Sequence, residues 1–196
     1  RRGGTEDPRT RISLGVLALK RGELVEADDT LLGARELYGK KTPPPAWFHY
    51  AALAAALRDD IDRAIALITE GLNAHPRGPV LCNTLAVLLE RRGELAAAGQ
   101  AAERGLQENG TLPQLYKNLG DTLYGAGKYD EALEAYQRAI KLNPALGDDV
   151  YCKLGNIRYK WQEKDQAMAY WERALALNPD NQSLRANLDL VRSLPA

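Results

Sequence analysis

The sequence predicts an all-α fold, a solenoid of about five stacked helical hairpins closed by one further helix, and three observations predict it. The hydrophobic content of 45% comes mostly as Ala and Leu, with only 7% aromatics. These are strong helix formers, and the β-branched and aromatic runs that mark strands are nearly missing. Two similar segments, YQRAIKLNP ending at Pro144 and WERALALNP ending at Pro179, lie 35 residues apart, a period that marks a stacked-repeat architecture. Finally, Ala64, Ala98, Ala132 and Ala167 recur at intervals of 34, 34 and 35, and Ala27 lies 37 residues before the first of them.

Within each period, apolar residues at three- and four-residue steps trace two helices broken by a short Gly- or Asp-containing turn and closed by Pro or Gly. Residues 1–7 are polar and Gly-rich, and are expected to be a linker or disordered; with no initiating Met, they suggest a piece excised from something longer. The first unit (8–44) places helices at 8–21 and 24–38; Gly39 replaces its closing Pro, and the Lys40-Lys41-Thr42-Pro43-Pro44-Pro45 run lengthens it. That run stiffens the connection, with Pro45 in the tolerated first turn of the next helix. The second unit (45–78) has helices at 45–58 and 61–75, and the third (79–112) at 79–92 and 95–108. The fourth (113–147) has them at 113–126 and 129–142, and the fifth (148–181) at 148–161 and 164–177. A last helix, 182–193, turns Leu184, Leu188 and Val191 inward and Arg185, Asn187, Asp189 and Arg192 to water, as a polar cap.

The small residues explain the packing. Gly15, Ala52, Ala86, Gly120 and Gly155 recur on the first helices, where a larger side chain would push the paired helix away. Ala27, Ala64, Ala98, Ala132 and Ala167 play the complementary part on the second helices, and large rings fill the space between neighbouring hairpins.

The fourth unit carries Tyr116, Leu119, Gly120, Gly127, Tyr129, Ala132, Tyr136, Ala139 and Pro144, and this set resembles the tetratricopeptide repeat family in its bacterial type. The fifth matches at Tyr151, Leu154, Gly155, Ala167, Trp171, Ala174 and Pro179, but has Arg158, Gln162 and Lys164 at aromatic and Gly positions. Units two and three keep the small-residue frame without most of the aromatics, and the first has Arg11 where an aromatic belongs. The resemblance covers residues 8–179 and implies a right-handed α-α superhelix whose first helices line a concave groove.

Composition removes several functions. Lys plus Arg and Asp plus Glu each number 26, so the chain lacks the positive excess that nucleic acid demands. No apolar run approaches membrane-spanning length, so no membrane insertion is expected. Cys82 and Cys152 lie two repeats apart, beyond the roughly 7 Å that a disulfide bridges, and are read as free thiols. His49 and His75 stand on different helices without a partner at metal-ligand spacing, and no phosphate loop or nucleophile elbow is present. No enzyme activity, metal or cofactor is expected. The acidic pairs Asp28-Asp29, Asp59-Asp60 and Asp148-Asp149 are read as helix caps or solvated residues.

A partner protein or peptide in the concave groove is what the resemblance implies. In the first three units the groove face would offer an apolar strip, Ile12, Val16, Leu19, His49, Leu53, Leu57, Asn83, Val87 and Glu90, suited to an amphipathic helix or apolar peptide. In the last two it would offer Lys117, Asn118, Asp121, Tyr124, Cys152, Lys153, Asn156, Tyr159 and Lys160. The expected function is a scaffold within a larger bacterial assembly, monomeric and cytoplasmic, or periplasmic after loss of a signal peptide. The alternatives are a regulatory domain of a multidomain enzyme such as a methyltransferase, and an assembly factor for pili or the envelope.

Overall fold

Each first helix starts at a residue that costs the helix nothing. Pro8, Pro45, Pro79 and Pro113 stand at N1, where the missing N–H has no intrahelical partner to lose. Asp7 caps the first of them, its carboxylate accepting from the backbone N–H groups of Arg9 and Thr10 at 3.3 Å. The computed structural model describes residues 7–193; the rest of the expected N-terminal linker lies outside the described residues. Among them are eleven helices: α1 (Pro8–Arg21), α2 (Leu24–Tyr38), α3 (Pro45–Leu57), α4 (Ile61–Ala74), α5 (Pro79–Arg91), α6 (Leu95–Glu108), α7 (Pro113–Gly125), α8 (Tyr129–Leu142), α9 (Asp148–Lys160), α10 (Lys164–Leu177) and α11 (Gln182–Ser193).

The turn inside every hairpin passes through one residue in the left-handed region: Gly22 (φ 76°), Asp59 (65°), Gly93 (83°), Gly127 (76°) and Gln162 (64°). The backbone requires this conformation at the same register each time, even where the residue is Asp or Gln and pays a steric cost. The tight turn also stops the first helices of hairpins two to five one residue earlier than the spacing predicts, at Leu57, Arg91, Gly125 and Lys160.

The chain divides into two compact units after Asn109. In the first, α1 to α6 form three hairpins, with α2 packed on α3 and α4 on α5. Its core joins Trp47, Phe48, Leu31, Ile68 and Leu81, and the Trp47 indole N–H donates to the Leu31 carbonyl at 2.7 Å. In the second, α8 packs on α9 and α10 on α11, around Tyr136, Val150, Leu154, Ile157, Trp171 and Leu188. The recurrent Ala27, Ala64, Ala98, Ala132 and Ala167 are all fully buried. A Cβ on Gly120 would lie 2.6 Å from the Tyr136 ring, and one on Gly155 would lie 2.3 Å from the Trp171 indole nitrogen, so these helix pairs tolerate only glycine at their closest approach.

One acidic pair departs from expectation. Asp28 neither caps a helix nor faces water: it is buried in α2 and receives both Nη atoms of Arg63 at 2.8 Å and Arg58 Nη1 at 2.7 Å. The expectation failed because the second hairpin brings two guanidinium groups to this face of α2, which makes burial of the carboxylate affordable. Asp60, by contrast, does cap α4, accepting from the Arg63 N–H at 3.2 Å.

Candidate functional site

On α7, Lys117, Asp121 and Tyr124 fall at i, i+4 and i+7, and on α9 Lys153, Asn156 and Lys160 fall at i, i+3 and i+7. Helical geometry puts each set on one face. The structure brings both sets together in the second unit. Asp121 is buried at its centre, with Lys117 Nζ 2.9 Å from one carboxylate oxygen. Lys153 pairs with the other, and the Tyr136 hydroxyl donates to it at 2.7 Å. Lys117 also reaches Asp149 at 2.8 Å. Two cations and two carboxylates thus neutralise one another.

The titration of these groups follows from that geometry. Burial alone would raise the Asp121 pKa, but the hydrogen bonds and charges of Lys153 and Lys117 outweigh it and hold the carboxyl below its ordinary value. Burial likewise disfavours the Lys117 cation, and Asp149 and Asp121 overcome it, so its pKa rises. Burial beside Asp121 pushes the Tyr136 phenol far up, which keeps it a proton donor to the carboxylate. Asn118 is buried as well. Asn118 and Asp121, read from sequence as surface groups, therefore lie beneath the face.

What remains within reach of solvent is a run of rings and two polar ends. Tyr124 stacks edge-on to Tyr129 with centroids 5.4 Å apart, and the Lys160 ammonium sits 4.6 Å over the Tyr129 ring. Tyr159, 40% exposed, leans on Trp171 at 5.5 Å. The Trp171 indole N–H donates to Asn156 Oδ1 at 3.1 Å, which orients the Asn156 amide and leaves its NH2 as the outward donor. Tyr129 and Trp171, known from sequence only as repeat-frame aromatics, thus support the face from behind. Cys152, on the same helix, is half-buried, and burial with Asp148 and Asp149 pushes its thiol up to about 11, so it stays a protonated, unreactive thiol.

In the first unit the expected strip is only partly open. Ile12 is buried, while Val16 and Leu19 pack against the core. Leu53 is half-buried, and Leu57 and Val87 are exposed. His49 is half-buried with its Nδ1 2.8 Å from the Thr84 hydroxyl, and His75 Nε2 donates to the Pro43 carbonyl at 2.8 Å. No helix among the described residues is long and apolar enough to cross a membrane, and both cysteines are free.

The tetratricopeptide repeat profile matches residues 113–146 and 149–181, the fourth and fifth hairpins. These two hairpins are tetratricopeptide repeats. A curated relative, the small glutamine-rich tetratricopeptide repeat-containing protein 2 of Mycosarcoma maydis, is 27% identical over 86 residues, which are 44% of this chain and 24% of the relative. This chain thus spans about a quarter of that relative's length. Among solved structures, pilF of Pseudomonas aeruginosa aligns over 95% of this chain and 84% of its own with a TM-score of 0.85 at 20% identity. A chain of the Cut9–Hcn1 hetero-tetramer of APC/C aligns over 99% of this chain and 38% of its own, with a TM-score of 0.83 at 17% identity. YrrB, a tetratricopeptide protein with an unusual peptide-binding site, aligns over 91% of this chain and 90% of its own with a TM-score of 0.68 at 18% identity. At such identities the likeness shows the fold, which is the all-α solenoid class of stacked hairpins.

Proposed function

We propose that this tetratricopeptide repeat domain is a non-catalytic scaffold that holds a peptide or helix of a partner protein within a larger assembly. In the second unit the contact falls to Tyr124, Asn156, Tyr159 and Lys160. The observation that carries the reading is the contrast within one face. Lys117, Lys153, Asp121 and Asp149 neutralise one another and tie α7 to α9, while the rings and the two polar ends stay accessible. Such a surface suits an extended segment with a backbone carbonyl for Asn156, an acidic group for Lys160, and a flat or aliphatic side chain against Tyr124 and Tyr159. In the first unit Leu57 and Val87 suit an apolar side chain. The peptide-binding character of YrrB, which shares the fold, adds support, and two free thiols favour the cytoplasm as the working compartment.

Selection from a random peptide library tests it. The parent chain is expected to enrich peptides with an acidic residue near an aromatic or long aliphatic one. Tyr124→Ala with Tyr159→Ala should then weaken the selected peptides at least tenfold while leaving helical content unchanged. Equal affinity for the double variant would overturn the assignment of this face.

A further inference from the structure

The connection after α6 departs from its counterparts at a single residue. Helices α4, α6, α8 and α10 all end on a residue whose backbone N–H returns to the carbonyl four positions earlier: His75 to Gly71 at 2.8 Å, and Asn109 to Gly105, Asn143 to Ala139 and Asn178 to Ala174 at 2.9 Å. These four end residues share an extended backbone, with φ between −150° and −130° and ψ between 73° and 98°. After His75, Asn143 and Asn178 the chain continues with Pro, and after Asn109 with Gly110. Proline has no backbone N–H. Gly110 keeps one, is exposed, and among the described residues donates that N–H to no partner.

That difference decides whether a reaction can run. The backbone nitrogen after an asparagine, once it loses its proton, can attack the side-chain Cγ. The N–Cγ bond forms, the Cγ–Nδ2 bond breaks, and ammonia leaves with the proton, closing a five-membered succinimide. Water then opens the ring at either carbonyl and returns a hydrogen to the nitrogen. Opening at Cγ gives aspartate; opening at the backbone carbonyl gives isoaspartate, whose main chain runs through Cγ and is one carbon longer. A proline nitrogen has no proton to lose, which protects Asn143 and Asn178. Asn73, Asn83, Asn118, Asn156 and Asn187 lie within helices, where the next N–H is held by a carbonyl one turn back. Asn181 is followed by Gln182, whose side chain crowds the ring, and its Oδ1 accepts from the Leu184 N–H at 3.0 Å. Gly110 has no Cβ to crowd the closing ring and no hydrogen bond of its N–H to give up.

We propose that Asn109 is a covalent modification site, at which attack by the Gly110 nitrogen converts the asparagine through a succinimide mainly to isoaspartate and loosens the end of α6. The new carboxylate stands next to Glu108 at the negative end of the helix dipole, where an anion is disfavoured. The rerouted main chain also shifts the N–H that now closes the last turn on the Gly105 carbonyl, so that turn frays. The change is separate from the face of Tyr124 and Tyr159.

The test ages the purified full chain at neutral and at alkaline pH and then cuts it with trypsin, which releases Gly105–Lys117 with Asn109 as its one asparagine. Mass spectrometry with electron-transfer fragmentation reads the replacement of NH2 by OH and tells isoaspartate from aspartate. Asn109 is expected to convert at least tenfold faster than any other asparagine, faster at the higher pH, and with isoaspartate in excess. Gly110→Pro, which gives this position the residue its counterparts carry, should abolish the reaction, and Gly110→Ala should slow it at least tenfold. Amide hydrogen exchange of the aged chain should rise in the last turn of α6 and stay unchanged in α5. If Asn109 of the folded chain merely keeps pace with the other asparagines while urea-unfolded chain converts it readily, the fold holds the pair apart and the proposal is overturned. Conversion that Gly110→Pro leaves intact overturns the mechanism, and unchanged exchange in α6 after conversion overturns the loosening.

Discussion

Asp121 occupies the register that holds Val16, Leu53, Val87 and Asn156 in the other hairpins, yet only here is it a buried anion between two lysines. Its folded pKa lies below the ordinary 3.8, so the unfolded chain takes up the proton first as the pH falls. The stabilisation is complete above pH 3.8 and is lost as the pH drops through the lower folded value. Asp121→Asn is expected to cost about 1–3 kcal/mol at neutral pH and to flatten the acid limb of stability. Urea titrations at several pH values between neutrality and the acid limb check this, and parallel curves for parent and variant would contradict it. Part of this cluster is legible in the sequence, since Lys117 and Asp121 stand at i, i+4. The third and fourth members are not: Tyr136 and Lys153 lie 15 and 32 residues away, and only hairpin packing brings them to the same carboxylate. Gln162 is a second case. Its side chain hides the need for a left-handed turn, which its φ of 64° reveals.

At the scale of elements, α7 with α8 and α9 with α10 approach most closely at Gly120 and Gly155. Gly120 allows Tyr136 to lie against α7, and the same ring then donates to Asp121, so backbone approach and buried charge depend on each other. Gly120→Val places side-chain atoms where the ring lies and is expected to destabilise the second unit by roughly 1–3 kcal/mol. Thermal melting of the variant measures the loss, and an unchanged midpoint would mean that Tyr136 swings away at no cost. Asp28 plays a matching part in the first unit, tying α2 to Arg58 after α3 and Arg63 in α4. Its spacing within α2 gave no hint of this, because both partners come from the next hairpin.

For the molecule as a whole, stability in a repeat array is roughly a sum of hairpins and the interfaces between neighbours. Helix α11 packs on α10 through Leu184, Leu188 and Val191. Leu188→Ala is expected to remove about 2–5 kcal/mol and to raise amide hydrogen exchange in α11 and α10 before α7 and α8. A uniform rise across α7 to α11 would show instead that the second unit opens all at once. The period, the eleven helices and the small residues at their crossings could be read directly from residue order, because each depends on spacing along one helix or on a repeat of about 34. Which polar residues of the first-helix face are buried, which rings stand behind it, and that Leu14 and Leu17 stay open to solvent were decided by folding. Those properties depend on side chains a whole repeat or more apart, and burial, pairing and exposure exist only once packing has chosen each residue's neighbours.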